Sequence, residues 1–157
     1  MAEAPFDLEQ AHRWFAVQFN NTAWDLIEAN AADVDRLVNL AHAACYHWAQ
    51  VGTSLNHQRA EDLLTRAYVT AGRSEPALHH ARRCLELSDE ANLDDQTDFD
   101  RATAFECVAR ANALAGLGDE ASRFKKMAGE AGDRITDAEE RGLFEKMLAG
   151  GDWYGVN

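Results

Sequence analysis

The chain has 157 residues and a mass of 17.4 kDa, which is the size of one domain or one short repeat array. Its 15 basic and 27 acidic residues give a net charge of −12, which argues against a general nucleic-acid binder and against attraction to an anionic membrane surface. No apolar run is long enough for a membrane-spanning helix, and the first ten residues lack the basic and apolar segments of a secretory signal. The three widely spaced cysteines, Cys45, Cys84 and Cys107, indicate reduced, buried thiols in a cytoplasmic protein and neither a disulfide framework nor a zinc site.

Four helices are predicted in the first half of the chain, because apolar side chains recur every three or four positions and no alternating strand pattern occurs. Asp7 followed by Gln10 matches a capping box, Asn56 is the expected cap of the third helix, and Gly72 is typical of a helix end. The apolar face expected for the first helix consists of Leu8, Ala11, Phe15, Phe19, Ala23 and Ile27. The four predicted ranges are about Asp7–Asn30, Asp33–Gln50, Asn56–Ala71 and Ser74–Ser88.

An acidic connector from Asp89 to Asp100 precedes three further helices. Thr136 followed by Glu139 matches another capping box. These helices are predicted over about Thr97–Gly116, Asp119–Ala131 and Thr136–Gly150. We therefore expect residues 1–151 to form a single all-α domain of about seven helices, followed by a flexible aromatic tail over residues 152–157.

An internal repeat is present in the middle of the chain, because six residues of the third and fourth helices recur 44 positions later. The paired glycines and the paired arginines carry most of the weight, since alanine is frequent throughout. The recurring pairs are Ala60/Ala104, Arg66/Arg110, Ala67/Ala111, Ala71/Ala115, Gly72/Gly116 and Ala77/Ala121.

The stretch 64–85 resembles the tetratricopeptide repeat, in which an apolar residue, an aromatic residue, a glycine and then small residues follow at these intervals. The residues that carry the resemblance are Leu64, Tyr68, Gly72, Ala77, Ala81, Cys84 and Leu85. The second copy matches at Val108, Ala109, Gly116, Ala121 and Ala128. The 44-residue spacing is similar to the lengthened repeats of some bacterial regulatory proteins. The resemblance implies antiparallel helix pairs stacked into a superhelical array whose first helices line a concave groove that binds a protein or peptide.

Carried over position by position, the resemblance predicts a partner-binding groove with two arginines one repeat apart on its wall. Its residues are Arg59, Asp62, Arg66, Glu106 and Arg110. Two arginines on an acidic protein suit a carboxylate or phosphate, which they bind by forked hydrogen bonds. The alternative is that the i,i+4 pairs Asp62–Arg66 and Glu106–Arg110 only stabilise their own helices.

A second candidate site is an apolar pocket between the first three helices, where aromatic residues are dense. Its predicted residues are Asn21, Trp24, His42, Tyr46 and His47. We expect no metal site among the histidines, because His42 and His47 lie about 140° apart around their helix and only one Glu-x-x-His sequence, Glu9 to His12, occurs.

The main prediction is a non-catalytic helical-repeat module that binds a protein or peptide, without a cofactor, in the cytoplasm. The sequence contains neither a phosphate-binding glycine loop nor a nucleophile motif, so no motif in it indicates an enzyme. The alternatives are a small-ligand sensor that uses the aromatic pocket, a metal-dependent helical-bundle enzyme, and a homodimer built through an exposed apolar face or through the tail with Trp153 and Tyr154.

Overall fold

The computed structural model describes residues 4–90 and 95–157, and this part of the chain is all-helical. The predicted all-α fold of seven helices is confirmed. The helices are α1 (Leu8–Glu28), α2 (Val34–Val51), α3 (Ser54–Thr70), α4 (Ser74–Glu90), α5 (Asp98–Leu114), α6 (Gly118–Gly132) and α7 (Ala138–Ala149). Residues 91–94 of the acidic connector, including Asp94, lie outside the described residues.

Short polar side chains begin most of the helices. Asp7 caps α1 by accepting a hydrogen bond from the backbone of Gln10, as predicted. The expected cap of α3 was wrong by one turn: Thr53 is the N-cap, and Asn56 returns the hydrogen bond from the N3 position. At α7, Asp137 rather than Thr136 is the cap, because its carboxylate accepts two backbone N–H groups where a hydroxyl serves one.

The same turn ends α1, α3 and α5. In each case the helix closes with one residue at positive φ: Asn30 at 48°, Gly72 at 68° and Gly116 at 74°. Each of these residues donates its N–H to the carbonyl three residues back, and the following residue donates to the carbonyl five residues back. The chain therefore contains three equivalent helix hairpins, α1–α2, α3–α4 and α5–α6, followed by the single helix α7.

Neighbouring hairpins are joined in two ways. The second helix of one hairpin packs against the first helix of the next, α2 against α3 and α4 against α5, and the odd-numbered helices contact one another in chain order, α1 with α3, α3 with α5 and α5 with α7. Within the described ranges, the second helices α2, α4 and α6 do not contact one another. The odd-numbered helices therefore form a continuous inner row, and the even-numbered helices spread on the outer side, which is the arrangement that curves a stack of hairpins.

Alanine dominates the interior, which lets neighbouring helices approach closely. One buried cluster joins α1, α2 and α3 around Leu37, Leu63 and Leu64, and a second joins α4 to α7 around Phe105 and Phe144. None of the helices in the described ranges has both the length and the apolar character that crossing a bilayer requires.

The apolar face predicted for α1 is only half covered. Of its six residues Ala23 is fully buried, whereas Leu8 is 55% exposed and Phe15 is 39% exposed. Ala16, which was not part of the predicted face, is also buried. The reason is positional: α1 is the first helix of the row, so α2 and α3 pack against one side of it and no hairpin precedes it in the described chain.

The repeated turn predicts that two glycine substitutions change the free energy of unfolding in opposite directions. Gly116→Ala forces a side chain into the left-handed conformation at φ 74° and should destabilise the fold by about 1–2 kcal/mol, although no atom lies within 4 Å of the new Cβ. Gly129→Ala, inside α6 and equally uncrowded, should instead stabilise it by about 0.5–1 kcal/mol. Urea denaturation measures both; equal effects of the two substitutions would contradict the role of the turn.

Candidate functional site

Four charged residues of the predicted groove meet between α3 and α5. Arg66 Nε donates to Asp62 Oδ2 at 2.9 Å on its own helix, and Arg66 Nη1 lies 2.8 Å from Glu106 Oε2 on the next inner helix. Arg110 approaches Glu106 from the other side, with Nη2 at 2.7 Å and Nε at 3.0 Å from Oε1. The carboxylate of Glu106 therefore bridges the two arginines that the repeat places in equivalent positions.

This network is buried rather than displayed on an open wall. The side chain of Glu106 is 0% exposed, that of Arg66 is 12% exposed and that of Arg110 is 10% exposed. Burial alone lowers the pKa of Arg66, but the charges of Asp62 and Glu106 outweigh it and raise that pKa above its ordinary range. Burial raises the pKa of the Asp62 carboxyl, and Arg66 opposes this effect. Two carboxylates and two guanidinium groups balance in formal charge, which is what burial of four ions requires.

Arg59 lies apart from this network. Its guanidinium pairs with Asp100 at 2.8 Å and 3.1 Å, and it remains half-exposed while Asp100 is buried. Asp100 also accepts from the backbone N–H and the hydroxyl of Thr97, the N-cap of α5. The pair therefore joins the start of α3 to the start of α5.

Arg110 also binds the segment that follows α7, which we call the C-terminal segment (150–156). Its Nη1 donates to the carbonyls of Gly150 at 3.0 Å and Asp152 at 2.9 Å, and its Nη2 donates to the carbonyl of Met147 at 3.1 Å. The ring of Trp153 stacks on the guanidinium at 3.6 Å. The tail predicted to be flexible thus makes specific contacts with a predicted groove residue.

Two further contacts hold the C-terminal segment. Trp153 Nε1 donates to the carbonyl of Leu148 at 3.0 Å, and Lys125 Nζ lies 4.2 Å from the centre of the Trp153 ring. Lys125 also donates to the carbonyl of Val156 at 3.5 Å. The indole is therefore placed between two cations, which an aromatic face attracts.

Trp24 takes the place of an arginine in the first hairpin. It stands six residues before the positive-φ residue Asn30, as Arg66 stands before Gly72 and Arg110 before Gly116. Its ring lies 5.7 Å from the guanidinium carbon of Arg66. The inner row thus runs Trp24, Arg66, Arg110 and Trp153, with a tryptophan stacked on each arginine.

The five residues of the predicted aromatic pocket do not share a cavity. Trp24 faces Arg66, His42 hydrogen-bonds the hydroxyl of Tyr68 at 2.7 Å, and His47 hydrogen-bonds His12 at 2.8 Å. Asn21 and Tyr46 are exposed. Two open clefts in the described part of the chain are lined by other residues. One is lined by Glu9, His12, Gln50, Val51 and Gly52, and the other by Gln96, Thr97, Asp98, Ile135, Thr136 and Glu140. The small-ligand sensor stays an untested alternative, with no cavity that gathers its residues.

A polar cluster on α2, α3 and α4 was not predicted. His80 Nδ1 lies 2.7 Å from Glu61 Oε2, and the ring of His80 stacks on that of Tyr68 with centres 5.5 Å apart. His42 closes the cluster through its bond to Tyr68. No sequence signal indicated it, because the four residues lie on three helices and are brought together only when those helices pack.

Comparison with known proteins finds no matching protein-family model, no matching curated protein and no matching solved structure. A function for this chain is therefore proposed from its own contacts.

The buried network predicts that Glu106→Gln destabilises the fold strongly. The substitution keeps the size of the side chain but leaves the two buried guanidinium groups, of Arg66 and Arg110, with Asp62 as the one remaining carboxylate of the network. The lost charge should lower the free energy of unfolding by about 3–5 kcal/mol. Glu86→Gln is the matched control, because Glu86 pairs with Arg83 at an exposed site and should change stability by less than about 0.5 kcal/mol. Urea denaturation checks both values, and a loss no larger than that of the control would contradict the bridging role.

The lowered pKa values of two histidines predict that the fold becomes less stable in mild acid. Burial and then the neighbouring His12 lower the pKa of His47, and burial and then His80 lower that of His42 in spite of Glu61. The unfolded chain, with histidine pKa values near 6.5, then binds more protons than the folded chain as the pH falls through that value. Stability should therefore decrease between about pH 7.5 and about pH 5.5.

The check is the urea midpoint at both pH values. We expect the decrease to shrink in His47→Gln and in His42→Gln, and to persist in His79→Gln, which changes an exposed histidine of α4. A decrease of the same size in all four proteins would assign the effect to other groups.

Proposed function

We propose that this chain is a tetratricopeptide-like array of the lengthened bacterial type and that it works in the cytoplasm as a non-catalytic module that binds an extended peptide segment of a partner protein. Two features of the fold support the proposal. In all three hairpins the same hydrogen-bonded turn joins the first helix to the second, and the odd-numbered helices form a continuous inner row. Both are what a stack of equivalent hairpins with a concave side requires.

The observation that carries the function is the contact of Arg110 with the C-terminal segment. One guanidinium holds the carbonyls of Met147, Gly150 and Asp152 and stacks on Trp153. Main-chain carbonyls supply binding that does not depend on side-chain identity, and the indole supplies a specific anchor. The inner surface at α5 therefore already binds main-chain carbonyls and an indole of its own chain, at the end of α7 and in the turns that follow it. A partner peptide offers the same groups.

The charge of the site favours neutral carbonyl groups over an anion. Glu106 already accepts from Nε and Nη2 of Arg110, and Nη1 is directed at backbone carbonyls. Because the buried carboxylate offsets the guanidinium charge, a phosphate or a free carboxylate gains less there than at an unpaired arginine. Of the ligands expected from the sequence, a peptide segment with an aromatic residue therefore fits this site better than a free carboxylate or phosphate does.

The C-terminal segment occupies this site in the folded chain, so a partner peptide has to replace it. Because the segment is attached to the domain, its local concentration at the site is high, and it competes strongly with any free peptide. A partner of matching chemistry binds with measurable affinity when the segment is weakened or when the partner makes additional contacts along the inner row.

The test uses a fluorescent peptide of residues 150–157, Gly-Gly-Asp-Trp-Tyr-Gly-Val-Asn, added to the full-length chain. In Trp153→Ala the segment loses its anchor, and the free peptide should bind at least about tenfold more tightly than it binds to the wild type. The same peptide with alanine in place of its tryptophan should lose binding. Fluorescence anisotropy measures each affinity.

Two variants added to Trp153→Ala serve as the test of the site and its control. Arg110→Lys removes the forked donors but keeps the charge, and it should abolish peptide binding. Arg123→Ala removes an exposed arginine of α6 that pairs with Glu120, and it should leave binding unchanged. Equal affinity of the peptide for the wild type and for Trp153→Ala, or binding that survives Arg110→Lys, would overturn the assignment of the site.

A further inference from the structure

Three side chains with metal-binding atoms meet in the interior, at the point where α3, α4 and α5 come together. Asp62, Cys84 and Cys107 each offer one such atom, and these three atoms lie within 4.8 Å of one another. Both cysteines are 0% exposed and Asp62 is 8% exposed. The cluster adjoins the ion-pair network, because Asp62 belongs to both.

Asp62 has an unused acceptor in this interior. Its Oδ2 accepts from Arg66, while its Oδ1 is buried and has no hydrogen-bond partner among the residues that the structure describes. A buried carboxylate oxygen without a partner costs free energy comparable to a lost hydrogen bond, so such atoms call for an explanation. Cys107 Sγ lies close to this carboxylate but donates to the carbonyl of Ala104 at 3.3 Å.

We propose that Asp62, Cys84 and Cys107 form a binding site for a thiophilic divalent ion, Zn²⁺ being the one whose chemistry fits best. Two thiolates and one carboxylate oxygen are zinc ligands, whereas Mg²⁺ and Ca²⁺ require oxygen ligands throughout. Three protein ligands leave a fourth position of the tetrahedron for a water molecule.

The distances permit the site after small side-chain shifts. Zinc lies about 2.3 Å from each sulfur ligand, so two sulfurs of one tetrahedral site are about 3.8 Å apart. The upper limit of 4.8 Å in this cluster exceeds that value by about 1 Å, which changes of side-chain rotamer can close.

The charges also balance. When Zn²⁺ binds, the two thiols release their protons to the solvent. One divalent ion thus replaces two protons of the same total charge. The total charge of the buried interior, which already holds the matched set Asp62, Arg66, Glu106 and Arg110, is therefore unchanged. Arg66 would serve as the group that orients Asp62, because it holds the other oxygen of the same carboxylate.

The site would join the second hairpin to the third, since Asp62 and Cys84 belong to α3 and α4 and Cys107 belongs to α5. Bound ion would thus stabilise the stacking of the hairpins, and its effect is measurable as a rise in the thermal midpoint with zinc concentration. This proposal does not depend on the peptide-binding function.

The experiment begins with the reduced, metal-free full-length protein. Zinc is added, free ion is removed by desalting, and the retained zinc is measured by elemental analysis; a parallel sample with Co²⁺ reports thiolate-to-metal charge transfer by absorption. We expect one zinc ion per chain and a charge-transfer band in the wild type. Cys84→Ser, Cys107→Ser and Asp62→Asn should each bind zinc at least about tenfold more weakly.

Cys45→Ser is the matched control. Cys45 lies on α2, outside the cluster, and burial, followed by the charge of Glu61, raises the pKa of its thiol to about 11. This variant should bind zinc as the wild type does. Circular dichroism identifies any variant that fails to fold, and the cobalt spectrum of the wild type decides the question without variants. Absence of zinc and of the band in the wild type, or zinc that Cys84→Ser and Cys107→Ser retain as strongly as the wild type does, would overturn the proposal.

Discussion

The rest of this structure depends on the ion pairs made by one carboxylate, that of Glu106. It is completely buried and lies between Arg66 of one hairpin and Arg110 of the next. A buried ion pair gives little net stability compared with an apolar pair of the same size, but removing one partner is very costly. Glu106 therefore fixes the register between the two hairpins, because sliding one hairpin along its neighbour would leave a buried charge without its partner.

This constraint also connects the fold to the proposed function. Arg110 is held by Glu106 with its remaining donors pointing at the segment that follows α7. An arginine fixed in this way loses little side-chain entropy when it binds backbone carbonyls. The ion pair with Glu106 and the contact with the C-terminal segment thus use different donors of the same guanidinium group.

The elements of the fold could be predicted from the sequence because their signals are local. Caps such as Asp7 and Thr97, and end residues such as Gly72, act within one turn of a helix. The two errors at the caps, Asn56 and Thr136, are also local: in each case a second capping residue stood within three positions, and the hydrogen-bond geometry decided between them.

The site was only partly predictable, because its contacts join residues far apart in the chain. The spacing predicted the pairs Asp62–Arg66 and Glu106–Arg110, but the contact of Arg66 with Glu106 arises only when α3 and α5 stack side by side. Trp153 stood in a tail without periodicity, so nothing in the sequence connected it to Arg110. The cluster of Asp62, Cys84 and Cys107 follows no ligand-spacing motif and is assembled entirely by packing.

Trp24 and Trp153 place an aromatic ring at each end of the ion-pair network in the described chain. Trp24 lies 5.7 Å from the guanidinium of Arg66, and Trp153 lies 3.6 Å from that of Arg110. Each ring limits the access of water to a guanidinium group whose carboxylate partner is buried. Because a dry environment strengthens the attraction between opposite charges, the two indoles also strengthen the ion pairs that they cover.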